Sequence, residues 1–309
     1  MGFAALIDVL QVTLDGLVDG GVYALAGLGL SLSFLTLKRL NLAYGATAML
    51  GAYLGAWAFA RGIQSPAIIA MLVLLGTLLA AWYVELLCFR GRAQSSLEAD
   101  RPGSGNALQN HEVVAMAASF AIWMQLEQLA VNLLPAHLNA MPNLGSGQEW
   151  QWMAWSVRPD RLGLALLGVA LCLITTQWLS RSRAGLAWRA TANHGFAAFM
   201  IGLPVAAIQR AGFLTAAALS AIAALGLVML DGQITPMFGM WLLLKGLVVT
   251  MLLGTMNISS VLWGGLLLGQ VEVHAQWWFG AQAREFSTYA LLLAMLIWRS
   301  HKPGSGGLA

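Results

Sequence analysis

The sequence predicts an all-α fold, a polytopic transmembrane helix bundle of about nine spans in a single domain over residues 1–309. Three observations predict it. Apolar runs of about 20 residues, the length that crosses a bilayer's hydrocarbon core, recur from end to end. Hydrophobic residues make up 59% of the chain and charged residues 9%, with a mean hydropathy of +0.73, far more apolar than a soluble core of this size needs. The content of 34 glycines fits closely packed transmembrane helices, where small residues let helix backbones approach.

Taken in order, the runs lie at 18–37, 41–60, 66–89, 112–134, 161–180, 206–230, 237–255, 258–278 and 286–299. An earlier apolar piece, Phe3 to Leu14, is too short to span and ends in a break at Asp15, Gly16, Asp19, Gly20 and Gly21, so it is expected to lie at the interface or pack on the bundle. The first long connection, Arg90 to His111, carries Arg, Ser, Pro and Gly and reads as a flexible linker. The second, residues 181–210, holds a moderately apolar helical stretch with basic flanks, too broken at Asn193, His194 and Gly195 to cross, and is a candidate docking element.

Nine crossings with the N-terminus outside and the C-terminus cytoplasmic place Lys38, Arg39, Arg90, Arg92, Arg101, Arg181, Arg183, Arg189, Arg210, Arg299 and Lys302 inside. Only Arg61, Arg158, Arg161 and Arg284 then fall outside, as the positive-inside rule requires, and Trp150, Trp152, Trp155, Trp277 and Trp278 mark the outer aromatic belt. The basic balance therefore records topology and not nucleic-acid binding. Asp8 and Asp15 replace the basic region of a cleaved signal peptide. A weak inverted repeat is expected. Span 18–37, the polar break Asn41 to Gly45 and a span with Gly51 and Gly55 match span 206–230, the break Asp231 to Gly239 and a span with Gly246 and Gly254.

Catalysis has little support: no H-E-x-x-H, G-x-S-x-G, C-x-x-C or phosphate-binding G-x-x-x-x-G-K-[ST] occurs. Neither catalytic residue, metal site nor cofactor is expected, and any ATP must be hydrolysed by another subunit. Cys88 and Cys172, inside apolar runs, read as small core residues. Ionisable groups within spans are costly and call for a named environment; they are Glu85, Glu127, Lys245, Glu272 and His274. Glu85 and His274 are expected near span ends, where snorkelling to water is cheap. Glu127 and Lys245 lie deeper; either Lys245 pairs with Glu127 or Glu272 between helices, or these groups line a passage. Asn41, Tyr44 and Gly45 form either a helix N-cap or irregular backbone beside a wet cavity. Pro236 and Gly239 mark either a span entry or a gate.

Tyr23, Ala24, Leu25, Gly27 and Gly29, then Asn41 to Gly45, then Met49, Gly51 and Tyr53, resemble the opening of permease subunits of bacterial ABC importers for branched-chain amino acids and urea. Arg189, Ala190, Thr191, Ala192 and Asn193, with Ala198 and Gly202, resemble their cytoplasmic coupling segment; Ile234, Pro236, Gly239 and Lys245, then Gly264, Gly265 and Gly269, follow in family order. The resemblance spans nearly the whole chain. It implies a homologous second permease, two cytoplasmic ABC ATPase subunits, a periplasmic or extracellular substrate-binding protein and a lipid setting in the bacterial inner membrane. It also implies that Arg189, Ala190, Thr191, Asn193, Ala198 and Gly202 contact the ATPase, with a cysteine at Ala198 expected to crosslink to it. Asn41, Tyr44, Gly45, Glu127, Pro236, Gly239 and Lys245 are then the expected substrate path. Two stretches depart from the pattern. Ser119 to Trp123 replaces a Thr- and Gly-containing turn, with Trp123 narrowing a passage, and Gly254 to Asn257 is a reduced Gly-rich turn. Branched-chain amino acids are favoured as substrate over urea or small amides. A channel or secondary carrier working without ATP, coupled through Glu127, Lys245 or Glu272, is the competing class, and a scaffold with no passage a third.

Overall fold

The computed structural model describes residues 2–89, 105–133, 139–140, 150–152, 155–157, 159–253 and 258–301. Among the described residues, eleven α-helices carry the fold: α1 Gly2–Leu37, α2 Tyr44–Ala60, α3 Pro66–Val84, α4 Gly105–Leu133, α5 Pro159–Arg181, α6 Arg183–Asn193, α7 Gly195–Met200, α8 Val205–Asp231, α9 Phe238–Leu253, α10 Ile258–Phe279 and α11 Gln282–Ser300. A π-helical turn, Glu85–Phe89, extends α3. Short antiparallel strands add two pairs: β1 Asn139–Ala140 with β4 Gln233–Ile234, and β2 Trp150–Trp152 with β3 Trp155–Val157.

Every expected span is a helix, and the helix ends follow local chemistry. Pro66, at the first position of α3, gives up an N–H that has no intrahelical partner there. Gly232, at φ 71°, closes α8 in the left-handed region and returns its N–H to the Val228 carbonyl. Among the described residues, five helices are long and apolar enough to cross a membrane, within 7–37, 66–88, 113–133, 161–181 and 205–231. Of the rest, α2 and α9 have 17 and 16 residues, about half the 36 of α1.

The first correction concerns α1. The expected break at Asp15 to Gly21 does not occur; the helix runs unbroken from Gly2 to Leu37. Its glycines are packing surfaces. A Cβ on Gly20 would lie 2.7 Å from the Leu266 backbone, and one on Gly21 3.0 Å from the Ala165 carbonyl, so α10 and α5 seat directly on α1. Close packing outweighs the poor helix propensity of Gly and Asp. The linker is also shorter than expected, because α4 begins at Gly105; residues 90–104, with Arg90, Arg92 and Arg101, lie outside the described residues. So do Arg158, the reduced turn Gly254 to Asn257, Lys302 and the side chains of Trp150, Trp152 and Trp155.

The apolar window of α1 is 83% buried, those of α4 and α5 only 28% and 22%, so α1 is the central helix and α4 and α5 the periphery. Contacts respect the expected repeat. α1 packs on α8, α9 and α10; α8 packs on α1, α2 and α3. α2 packs on α3 and α4, and α9 on α10 and α11. Exchanging α1–α4 with α8–α11 therefore carries these pairs onto one another, with α1·α8 and α2·α9 each mapping onto itself.

Candidate translocation path and coupling segment

Gly45, on the first turn of α2, meets Gly239, on the first turn of α9, backbone to backbone. A Cβ on Gly239 would sit 3.1 Å from the Gly45 carbonyl oxygen and 3.2 Å from Met49 Cβ; one on Gly45 would collide with the Gly239 carbonyl and lie 3.1 Å from Leu243 Cβ. Gly45 and Met49 thus face Gly239 and Leu243 reciprocally, as the repeat demands.

The segments feeding these helices are tightly built. Asn41, 2% exposed, does not cap α2; its Oδ1 accepts from the Ala43 N–H at 3.1 Å, forming an Asx turn before the helix. Ser119 Oγ on α4 accepts from the Leu42 N–H at 3.4 Å. The Tyr44 hydroxyl donates to the Ala26 carbonyl at 2.9 Å, and its ring packs with Leu30 and Leu243. Trp123 joins that cluster, so the departure from the family pattern sits beside the crossing. On the other side, Pro236 stands in the turn where the Phe238 N–H donates to the Thr235 carbonyl at 3.0 Å, one residue before α9. A small crevice between this α1–α2 connection and α9 is lined by Leu30, Phe34, Asn41, Leu247 and Thr250.

Lys245 takes Glu272 as its partner, Nζ to Oε2 at 3.0 Å, and not Glu127, which lies half-buried on α4. The pair belongs to a larger network. Tyr23 donates to Glu272 Oε2 at 2.7 Å and accepts from Lys245 at 2.7 Å and from Arg284 at 2.6 Å. Arg284 also reaches Asp19 at 2.8 Å and Glu272 at 3.3 Å, and Thr288 donates to Glu272 Oε1. Two acids and two bases from α1, α9, α10 and α11 neutralise one another with Glu272 fully buried. Arg284, expected among the exposed outer charges, is the hinge of this network.

The repeat makes the network asymmetric. Gly45 to Gly51 and Gly239 to Lys245 are equal steps, so Lys245 occupies the place of Gly51. There α2 closes on α3 with the Gly51 Cα against Thr77, and a Cβ would lie 2.6 Å from the Val73 carbonyl. One half closes by small-residue contact, the other by charge.

Glu85 does not snorkel. It is buried in the π-helical turn, with Oε1 3.1 Å from Arg210 Nε of α8 and, among the described residues, no hydrogen-bond partner for Oε2. His274 is partly buried, its Nδ1 2.9 Å from the Gln270 carbonyl oxygen. Cys88 and Cys172 are both buried. No metal-competent cluster occurs among the described residues.

The candidate coupling segment is a pair of short helices, α6 and α7, broken at His194 as expected. Ser182 caps α6 by accepting from the Gly185 N–H at 2.9 Å. Arg189 and Asn193 are exposed, Ala190 is half-buried and Gly202 lies in the exposed turn after α7. Thr191 and Ala198, each 3% exposed, face the bundle instead of outward. The outward apolar surface belongs to Phe199, Met200 and Ile201, at 53%, 70% and 76% exposure, which moves the expected crosslinking position off Ala198.

Residues 12–298 match the family model described as branched-chain amino acid transport system, permease component. The chain belongs to that family. Among curated relatives it is 24% identical over 302 residues to the high-affinity branched-chain amino acid transport system permease protein LivH of Salmonella typhimurium, covering 93% of this chain and 92% of the relative. It is 25% identical over 304 residues to the corresponding protein BraD of Pseudomonas aeruginosa, covering 94% of each, and 24% identical to LivH of Escherichia coli K12 over 93% of this chain and 92% of the relative. A solved structure titled PsaBC from Streptococcus pneumoniae in complex with Fab aligns at a TM-score of 0.49 and 13% identity over 95% of both chains.

Proposed function

We propose that the single domain 1–309 forms, with a homologous second permease, the translocation path of an importer for branched-chain or related amino acids in the bacterial inner membrane. Separate cytoplasmic ATPases power it and a binding protein outside supplies substrate. The chain crosses about nine times, N-terminus outside and C-terminus inside, as its basic residues favour. The observation that carries this reading is the Gly45–Gly239 crossing. Two helices begin against each other at the centre of an internal repeat, where transporters of this construction place their solute path. Asn41, Tyr44, Gly45, Pro236 and Gly239 flank the path. Separation of α2 from α9 breaks van der Waals contacts of Tyr44, Gly45 and Met49 with Gly239 and Leu243.

Lys245 contributes by holding α9 to α1 and α10 through Tyr23 and Glu272, and Glu127 of α4 is assigned to the path. A neutral network closed on itself offers a passing zwitterion no permanent counter-charge, which suits release over retention. Arg189, Ala190, Thr191, Asn193, Ala198 and Gly202 make up the coupling segment; Phe199, Met200 and Ile201 are its outward surface and Thr191 and Ala198 anchor it to the bundle.

The test is uptake of labelled leucine into proteoliposomes holding this chain, its companion permease and the ATPases, with binding protein outside and ATP inside. Uptake requires every component, and a cysteine at Met200 or Ile201 crosslinks to an ATPase while one at Ala198 does not. Uptake by the purified chain alone under a proton gradient overturns the proposal in favour of a secondary carrier. Uptake of urea but not leucine by the complete system moves the substrate class to small amides.

A further inference from the structure

The end of α1 is fastened to the coupling segment at two points. The buried indole of Trp188, at the centre of α6, donates from Nε1 to Thr36 Oγ1 at 3.0 Å, and the same hydroxyl donates to the Leu32 carbonyl at 2.6 Å. Gly212 of α8 leaves the space: a Cβ there would strike the indole nitrogen and come within 2.8 Å of Thr36 Oγ1. Two residues on, Lys38 donates from Nζ to the carbonyl of Asn193, the last residue of α6, at 3.3 Å. A cation at a helix C-terminus meets the negative end of the helix dipole. Lys38 also has a φ of 52°, the only non-glycine residue in the left-handed region among the described residues, so the chain turns sharply where it is held.

Beyond Lys38 the chain runs through the Asn41 Asx turn into α2 and the Gly45–Gly239 crossing. Both of its fastenings to α6 lie within two residues of Leu37, the last residue of α1. A displacement of α6 is therefore delivered to the connection that sets where α2 begins. Polar side-chain bonds suit this role, because they fix distance and direction where apolar packing permits sliding.

We propose that Trp188, Thr36 and Lys38 are positioning residues for transport, forming a two-point tether that converts movement of the coupling segment into movement of the α1–α2 connection. The proposal rests on the ATPase-docking reading above. The tether is distinct from docking itself, since Trp188 and Thr36 are buried away from the exposed face of α7.

The experiment uses the complete reconstituted importer and measures amino-acid uptake, ATP hydrolysis and Met200-cysteine crosslinking on each variant. Thr36→Val keeps shape and Trp188→Phe keeps a smaller aromatic ring, and each removes one partner of the bond; Lys38→Gly removes the second fastening while suiting the left-handed backbone. Each is expected to leave crosslinking and hydrolysis within about twofold of the parent and lower uptake per ATP about fivefold, the population shift that one hydrogen bond sustains. Trp188→Phe with Thr36→Val is expected to match either alone, because both break one bond. Unchanged uptake per ATP in all three single variants overturns the tether. So does a proportional fall of uptake, hydrolysis and crosslinking in Lys38→Gly, whose exposed side chain can be removed without opening the core. Absent crosslinking in the parent instead overturns the docking reading.

Discussion

The two glycines at the α2–α9 crossing touch each other, yet alanine at each position has a different expected effect. On Gly45 the new Cβ drives into the Gly239 carbonyl; the obstacle is backbone, which no rotamer change relieves. Overpacking of this kind costs about 1–3 kcal/mol, of which the better helix propensity of alanine recovers at most about 1 kcal/mol. That recovery enters the melting stability only, because α2 is helical whether or not the crossing is closed. The closed crossing in Gly45→Ala is disfavoured by the overpacking cost of about 1–3 kcal/mol, a shift of about fivefold or more toward separated helices. On Gly239 the Cβ meets the Gly45 oxygen at 3.1 Å and Met49 Cβ at 3.2 Å, a shortfall of a few tenths of an ångström. The propensity gain offsets it, and Gly239→Ala is expected within about 0.5 kcal/mol of the parent. Thermal stability of the purified chain in detergent, with disulfide trapping between cysteines at Met49 and Leu243, reads both effects. Gly45→Ala lowers the trapped fraction at least fivefold and Gly239→Ala leaves it unchanged. Equal behaviour of the two variants, or stabilisation by Gly45→Ala, refutes the argument that backbone contact defines the crossing.

Other outcomes follow from burial and charge. Glu272→Met leaves Lys245 without its acidic partner and is expected to lower stability by about 3–5 kcal/mol, whereas Lys245→Met with Glu272→Met recovers at least half, since Arg284 keeps Asp19 and Tyr23; chemical denaturation in detergent measures both. Arg210→Ala leaves the buried Glu85 carboxylate without its partner and costs about 1–3 kcal/mol, which adding Glu85→Gln largely restores in the same assay. Alanine at two uncrowded glycines separates backbone strain from space. Gly280→Ala, at φ 93°, lowers stability by about 1 kcal/mol, and Gly163→Ala, helical and open, raises it by about 0.5–1 kcal/mol, as paired thermal melts report.

The spans were legible because bilayer thickness sets their length, and the break at Asn193 to Gly195 because it interrupts apolar periodicity. The continuity of α1 was not. Asp15 to Gly21 carries the residues that end helices in water, and only the backbones of Leu266 and Ala165 on other helices give those glycines their use. The Lys245–Glu272 pair stood among the alternatives, but spacing alone does not choose between partners on different helices. Asp19 and Tyr23 on one helix, and Arg284 and Thr288 on another, are each four residues apart and so share a face; that phasing was the signal for the wider network. Burial of Ala198 was hidden for a different reason: a helix of six residues is too short for its pattern to reveal which side faces the bundle.

The unlike closures of the repeat also limit how its halves can be interchanged. Lysine at position 51 has no room, since even a methyl group there meets Thr77. Glycine at position 245 would leave Glu272 facing Arg284 with one cation fewer. The two halves are thus not interchangeable: one arm tolerates no added bulk, the other no lost ion, and neither can serve as a template for repairing its twin.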